Sequence, residues 1–350
     1  MHLTHGGDWA GYEAEYGKQP LDFSANVSPL GLPQGVRKAI LAALDTADRY
    51  PDPLCRKLCE KLSVFHQIPQ AQILCGNGAA DLVFRLVLAK QPKTALLTAP
   101  TFAEYEQALS IGNCKVQHSL LSKENNFSVT KEILSAITPS LDLLFLCEPN
   151  NPTGRTTDFT LLQEILRKCQ SCGTMLVVDE CFNDFLETPS AHTLQSALCT
   201  HPNLLILKAF TKCYAMAGVR LGYVLCSDAK VLQQMRACGQ PWSVSSLAVA
   251  AGCAALCETE YLSELHHLIQ TQRPCLQEGL VEIGCMVYPG EANFLLFYCK
   301  DEMLAQKLRE KSVLIRSCAN YVGLGSGWYR VAVRTKKENE ALLCAMREVL

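Results

Sequence analysis

The chain has 350 residues, of which 49% are hydrophobic and 19% charged, a composition that excludes extended disorder and suggests about two domains sharing a large buried core. Its 32 basic and 34 acidic side chains leave a net charge of -2, so no overall field draws it to nucleic acid or to an anionic membrane. The longest apolar run, Leu247 to Cys257, spans 11 residues, whereas a membrane-spanning helix needs about 20.

The nineteen cysteines are scattered along the chain. Met1 to Asp8 has neither the basic nor the apolar region of a secretory signal, so the expected setting is a reducing cytoplasm in which most thiols act as small buried hydrophobes. Cys169-Gln-Ser-Cys172 is a lone CxxC without a second pair at zinc-ribbon spacing, which leaves no metal site to predict.

In chain order, a polar, Gly-rich arm from His5 to Tyr16 leads into Leu21-Asp-Phe-Ser-Ala-Asn26. Helical periodicity begins at Pro33 and runs to Leu44, and a second helix is predicted around Leu54 to Phe65. A short strand, Ile73 to Cys75, then meets the turn Gly76-Asn-Gly78 and a helix from Ala80 to Lys90. Further strands are predicted at Thr94 to Thr98, Leu143 to Cys147, Met175 to Asp179 and Leu204 to Lys208, with helical stretches such as Thr160 to Cys172 between them. Short apolar strands alternating with helices argue for a parallel sheet covered on both faces.

Pro241-Trp-Ser-Val-Ser marks a break. One long helical tract, Ser245 to Glu282, precedes a strand at Asn293 to Tyr298, a helix at Asp301 to Glu310, a strand at Trp328 to Arg334 and a last helix, which together form an α+β tail. The expected organisation is an arm and part of a small domain over 1–45, a large α/β domain over 46–240 and a small C-terminal domain over 241–350.

Ligands of parallel sheets gather at the carboxyl ends of the strands, and four such places stand out. Gly76-Asn-Gly-Ala-Ala-Asp81 opens a helix, where backbone N–H groups and the helix N-terminus favour a phosphate, although a plain tight turn has the same signature. The third Gly of a dinucleotide fingerprint and the Lys-Ser/Thr of a P-loop are both missing. Glu148-Pro-Asn-Asn151-Pro-Thr-Gly154 aims an amide at the cleft or is only a turn. Asp179-Glu180 ends a buried apolar strand, where a carboxylate needs a partner or caps a helix. Thr211-Lys212 follows the last strand, with Arg220 eight residues on.

Taken together, these segments resemble the fold-type I pyridoxal-phosphate enzymes, in the branch that holds the histidinol-phosphate aminotransferases and the L-threonine-O-3-phosphate decarboxylases. The resemblance runs over nearly the whole chain. It implies that Lys212 captures the cofactor aldehyde, since an amine is required there, and that Asp179 keeps the ring nitrogen protonated. It further implies that Asn151 donates to the ring oxygen and that Phe102 stacks on the ring. Gly78, Ala79, Thr211 and Arg220 would hold the phosphate, and Tyr50 would reach the same phosphate across a homodimer interface. Three departures accompany the resemblance: Phe182 stands where most aminotransferases have a phenol, and Ala79 and Ala209 replace frequent hydroxyls.

In such enzymes the bond held perpendicular to the cofactor plane is the one that breaks, so geometry selects decarboxylation or transamination. Thr4-His-Gly-Gly7, Leu21 to Gly31, Pro100 to Tyr105, Thr211 to Ala215 and Ile315 to Leu324 resemble the decarboxylases, with Ser28 where that family has Asn. The resemblance then implies a phosphorylated amino-acid substrate, L-threonine O-3-phosphate, whose decarboxylation product supplies the aminopropanol linker of cobalamin. Arg330 and Arg316 would bind its anionic groups, because a guanidinium fork meets two oxygens at once. His5 and Asn26 would complete the phosphate site. Arg334 is read as structural, and Gly323-Leu-Gly-Ser-Gly327 as a hairpin turn. Two other readings are open: an aminotransferase of histidinol-phosphate type using 2-oxoglutarate, and a non-catalytic binding module that keeps the fold.

Overall fold

The apolar segments of the sequence become strands in the computed structural model, which describes residues 6–350; the expectation for His5 lies outside the described residues. The arm contributes β1 (Leu21–Asp22). A seven-stranded sheet follows, built from β2 (Ile73–Gly76), β3 (Thr94–Ala99), β4 (Lys115–Leu120), β5 (Leu143–Cys147), β6 (Met175–Asp179), β7 (Leu204–Ala209) and β8 (Gly222–Cys226) in the order β2-β8-β7-β6-β5-β3-β4. Only β8 runs against its neighbours, β2 and β7; every other ladder is parallel. The carboxyl ends of the remaining six strands therefore share one edge.

Strands β5, β6 and β7 are buried at every position, as expected of strands covered on both faces. Alternate side chains serve opposite faces: Leu144 and Leu146 join one apolar cluster, Leu143, Phe145 and Cys147 the other. The edge strand β4, Lys115-Val-Gln-His-Ser-Leu120, is largely solvated. Its mixed character hides it from a search for apolar runs.

The remaining strands are β9 (Met286–Val287), β10 (Phe294–Tyr298), β11 (Val313–Leu314), β12 (Arg316–Ser317) and β13 (Trp328–Ala332). Four of them form an antiparallel sheet in the order β12-β13-β10-β9. The fifth, β11, pairs in parallel with β1. The arm is fastened further by Phe23, which donates to the Leu314 carbonyl at 2.8 Å and accepts from Ala332 at 2.9 Å. Phe294, Phe297 and Val331 belong to the same apolar cluster as Leu144 and Ile206 of the large sheet, so one core runs between the two sheets.

The structure corrects the expected elements in three places. The arm is not irregular: Trp9–Tyr16 is a helix capped by Asp8, with Tyr12 buried and the Arg309 guanidinium 5.1 Å from its ring centroid. The tract expected as one helix is two, Ser246–Ala255 and Thr259–Glu282. Their junction tightens as Cys257 and Glu258 bond to carbonyls three residues back. Helix Ala103–Ile111 and strand β8 complete the large layer. Among the described residues no helix is long and apolar enough to cross a membrane.

Candidate functional site

Four carboxyl-end segments of the large sheet converge on one hollow. After β2, Gly78 adopts φ +81° at the start of the helix Gly78–Lys90, a region that side chains with a Cβ disfavour. A Cβ there would lie 2.5 Å from the Arg220 guanidinium. The missing side chain thus seats Arg220 over the helix N-terminus, where partial positive charge already favours an anion. The side chain of Arg220 is fixed by donation to the Ala217 carbonyl at 3.2 Å.

At the end of β6, Asp179 is buried and held by two donors. The Tyr105 hydroxyl meets Oδ2 at 2.5 Å, and the Cys181 backbone N–H meets Oδ1 at 2.9 Å. Glu180 points to the other face, accepting from Thr193 at 2.8 Å and pairing with buried Lys208 at 3.5 Å. Lys208 also meets Asp184 at 3.2 Å, which braces the segment carrying Phe182. Of two consecutive acids, only the first faces the hollow, as strand alternation requires.

Lys212 follows β7. Burial, reinforced by the guanidiniums of Arg330 and Arg220, pulls its amine down to about 8, because neighbouring positive charge and low dielectric both disfavour the ammonium. Its Nζ lies 5.6 Å from the ring centroid of Phe182. The backbone carbonyl of Lys212 accepts from the Ser28 N–H at 2.9 Å. Ser28 is in turn fixed to Tyr261, whose hydroxyl is 2.6 Å away. Ser28 therefore holds the lysine loop and lines neither of the cavities described next.

Two adjoining cavities open here. The inner one, about 110 Å³, is lined by Phe102, Asn151, Asp179, Thr211, Lys212 and Arg220, with Ala79 at its edge. The outer one, about 290 Å³, shares Phe102, Asn151, Lys212 and Arg220 and adds Asn26, Arg316, Arg330 and Glu104. A further cavity, about 520 Å³ between the helices Gln34–Ala43 and Ser246–Ala255, holds none of these groups, and its lining offers no comparable chemistry.

Arg330 links the two halves of the site. Its guanidinium donates to the Asn151 side-chain oxygen and, at 2.7 Å, to the Ser24 carbonyl. The residue is 5% exposed, and its Nε has no partner among the described residues. Arg316 donates to the Ser317 carbonyl at 2.6 Å and to Asn320 at 2.7 Å, and its guanidinium lies 5.3 Å from the Tyr321 ring centroid. Asn26 is 2% exposed, and neither of its side-chain polar atoms has a partner among the described residues. A buried amide beside a cavity is available to a polar ligand there.

The structure thus brings Ala79, Phe102, Asn151, Asp179, Thr211, Lys212, Arg220, Asn26, Arg316 and Arg330 around one pair of cavities. Gly78 shapes the wall from behind, through Arg220. Tyr50 is not among them: it is 81% exposed, its ring tilted 31° against Trp242 with centroids 4.6 Å apart, and it lines neither cavity. Arg334 pairs with Glu338 at 2.6 Å and donates to the Asp22 carbonyl, away from the cavities. The residue missed from the sequence is Tyr105. It lies one helical turn past Phe102, and only its bond to Asp179, 74 positions away, distinguishes it from a core aromatic.

Chemically, the inner cavity combines an amine of lowered basicity, a fixed carboxylate and an anion cradle, with the flat face of Phe102 beside them. This donor set fits a planar, phosphorylated carbonyl compound containing a basic ring nitrogen. The outer cavity adds two guanidiniums and an open amide, which suits a ligand with more than one anionic group.

The model of the family described as aminotransferase class I and II matches residues 18–346. The chain is 40% identical to a threonine-phosphate decarboxylase of Salmonella typhimurium, an alignment covering 100% of this chain and 97% of that protein. It is 30% identical to a histidinol-phosphate aminotransferase of Methanococcoides burtonii, covering 95% and 92%. The solved histidinol-phosphate aminotransferase of Clostridium acetobutylicum superposes with a TM-score of 0.87 at 26% identity, over 93% of this chain and 98% of that one. The fold-type I architecture expected from the sequence is thereby borne out.

Proposed function

Because the chain belongs to the aminotransferase class I and II family, whose membership points to pyridoxal 5′-phosphate as cofactor, we propose that it decarboxylates L-threonine O-3-phosphate. The products are CO2 and (R)-1-aminopropan-2-ol phosphate, the latter for the aminopropanol linker of cobalamin. The observation carrying this reading is the outer cavity, where Arg316, Arg330 and the unpartnered amide of Asn26 converge beside Lys212. A substrate with a carboxylate and a phosphate matches that charge.

Bound pyridoxal phosphate supplies an electron sink for the pair released when a bond at the substrate Cα breaks. The chain supplies the rest. Lys212, with its amine at about 8, presents a substantial unprotonated fraction near neutrality and serves as both nucleophile and proton carrier. Asp179, held by Tyr105 and Cys181, would pair with the ring nitrogen. Arg220, Thr211 and the N-terminus of helix Gly78–Lys90 take the cofactor phosphate, and Asn151 is oriented for the ring oxygen by Arg330. Arg330 and Arg316 bind the substrate anions, and Asn26 bonds a phosphate oxygen. After CO2 leaves, Lys212, as the ammonium formed when its amine takes a proton from the substrate's own ammonium group, would deliver that proton to Cα. The exposed pair Tyr50 and Trp242 is the surface on which a second copy docks, lending Tyr50 to that copy's cofactor site.

Phe182 supports decarboxylation over transamination. It leaves the lysine beside an apolar ring where most aminotransferases have a phenol. The test is incubation of the holoenzyme with threonine phosphate and no oxo acid. Sustained CO2 release supports the reading, and strict dependence on 2-oxoglutarate would replace it with the histidinol-phosphate type of reaction.

A further inference from the structure

A separate cavity of about 370 Å³ shares no lining residue with the inner or the outer one. Its wall comes from β2, the helix Gly78–Lys90, the end of the helix Ala229–Ala237 and the segment that follows it. The charge there is all of one sign. Arg85 and Arg236 line it together with Gln240 and Ser243, Cys55 and Cys75 close its apolar side, and no carboxylate is part of the lining.

Arg85 is 4% exposed. Its Nε donates to Asp81 Oδ1 at 2.9 Å, one helical turn back, and this is its one hydrogen bond among the described residues. Asp81 is held back from the cavity, because its other oxygen accepts from the Asn77 N–H at 2.8 Å. The N–H groups on both Nη atoms are therefore buried beside the cavity without an acceptor, an arrangement that costs free energy until an oxygen meets them. Gly239 makes room for this side chain: a Cβ there would overlap the Arg85 guanidinium. Arg236, in the last turn of the helix Ala229–Ala237, has neither an ion pair nor a hydrogen bond among the described residues. Two like charges at one cavity repel each other, and an anion between them turns that repulsion into attraction.

We propose that this cavity is a further anion site, which takes a small oxyanion carrying two charges, a phosphate or a dicarboxylate, between Arg85 and Arg236. The open edge of the Arg85 fork meets two oxygens at once, Arg236 adds the second charge, and Gln240 and Ser243 are neutral donors. The site stands outside the reaction, and the inference does not depend on which reaction the protein performs. Its place is the rim of the surface assigned above to a second copy: Pro241 and Ser243 flank Trp242, and Pro53 follows Tyr50 in the same segment.

The test reads Trp242, whose neighbours line the cavity. Protein loaded with pyridoxal phosphate and labelled with fluorotryptophan gives one fluorine resonance for each of its three tryptophans, assigned by Trp→Phe variants. At constant ionic strength, inorganic phosphate or malonate should displace the Trp242 resonance saturably. Arg85→Leu should weaken that response about tenfold or more, as the loss of a charge-assisted fork requires, and Gly239→Ala, which crowds the guanidinium without removing charge, should weaken it too. A response to phosphate alone supports a phosphate ester as the ligand, and one to malonate alone a dicarboxylate. A Trp242 resonance that stays still, that moves equally in Arg85→Leu, or that follows chloride as well overturns the proposal. So does a fall from dimer to monomer in Arg85→Leu without any phosphate response, since the cavity then holds a carboxylate of the second copy. Should Arg85→Leu not fold, Arg236→Ala, at an exposed position, decides in its place. Phosphate taken up at Arg316 and Arg330 in the outer cavity persists in Arg85→Leu and is read at Trp328, next to Arg330 on β13. Decarboxylation should persist in Arg85→Leu, so failure of the anion site and failure of the proposed reaction are separate results.

Discussion

Replacing Arg330 by alanine probes the site at its centre. The guanidinium is buried, donates to Asn151 and to the Ser24 carbonyl, and keeps an unpartnered Nε beside the outer cavity. A ligand anion seated there would form a desolvated, hydrogen-bonded charge pair, and truncating one member of such a pair costs about 2–5 kcal/mol. At about 1.4 kcal/mol per tenfold, substrate affinity should fall by a factor of roughly 30 to several thousand. Cofactor affinity should change less, since Arg330 reaches the inner cavity only through its bond to Asn151. The substitution has a second, opposite signature at Lys212. Arg330 is one of the charges depressing that amine, so its removal should move the lysine upward from about 8, toward its ordinary value. Isothermal titration with threonine phosphate and, separately, with pyridoxal phosphate resolves the two affinities. A substrate affinity within twofold of wild type would refute both the burial argument and the assignment of Arg330 to substrate.

Lys212→Ala should abolish turnover and borohydride trapping of pyridoxal phosphate, read as the missing mass of the reduced adduct, while the vitamin is still held loosely as a free aldehyde; full activity in this variant would overturn the mechanism. Without cofactor the same variant should unfold no more readily than wild type, because it removes a buried cation that faces Arg330 and Arg220. His66 gives a prediction about stability alone. It is buried between Gln195 at 2.7 Å and Tyr223 at 2.8 Å, and burial, reinforced by Lys208, lowers it from 6.5 to about 4. Between those values the unfolded chain binds more protons than the native one, so stability falls as pH drops from 6.5 to 4, by about 3 kcal/mol from this group. Urea unfolding across that range should lose most of this slope in His66→Gln; an unchanged slope would show that another group carries it.

The sheet was legible because its central strands are apolar runs rich in Leu, Val and Ile that stop abruptly, β5 before Glu148 and β6 at Asp179, and these two match their predicted limits residue for residue. The same punctuation exposed Asn151, Asp179 and Lys212, since each stands at or just past the carboxyl end of such a run. What escaped depends on partners distant in sequence. The helix Trp9–Tyr16 has one buried residue and leans on Arg309 through Tyr12 and through the 2.7 Å pair with Glu15, so nothing periodic announces it. The bond between Asn151 and Arg330 joins positions 179 apart, and two roles assigned separately, one to cofactor and one to substrate, prove to be mechanically joined. Ser28 stood out in the sequence only as a departure from a motif, and its hydroxyl bond to Tyr261, 233 positions away, was not legible there.

The pairing of β1 with β11 has an outcome for biosynthesis. It draws the beginning and the late part of the chain together, and the outer cavity takes its wall from Ser24 to Asn26 on one side and from Arg316 to Arg330 on the other. The inner cavity needs only positions 79 to 220. During synthesis the residues that line the inner cavity therefore all emerge before Arg316 and Arg330, which complete the wall of the outer one.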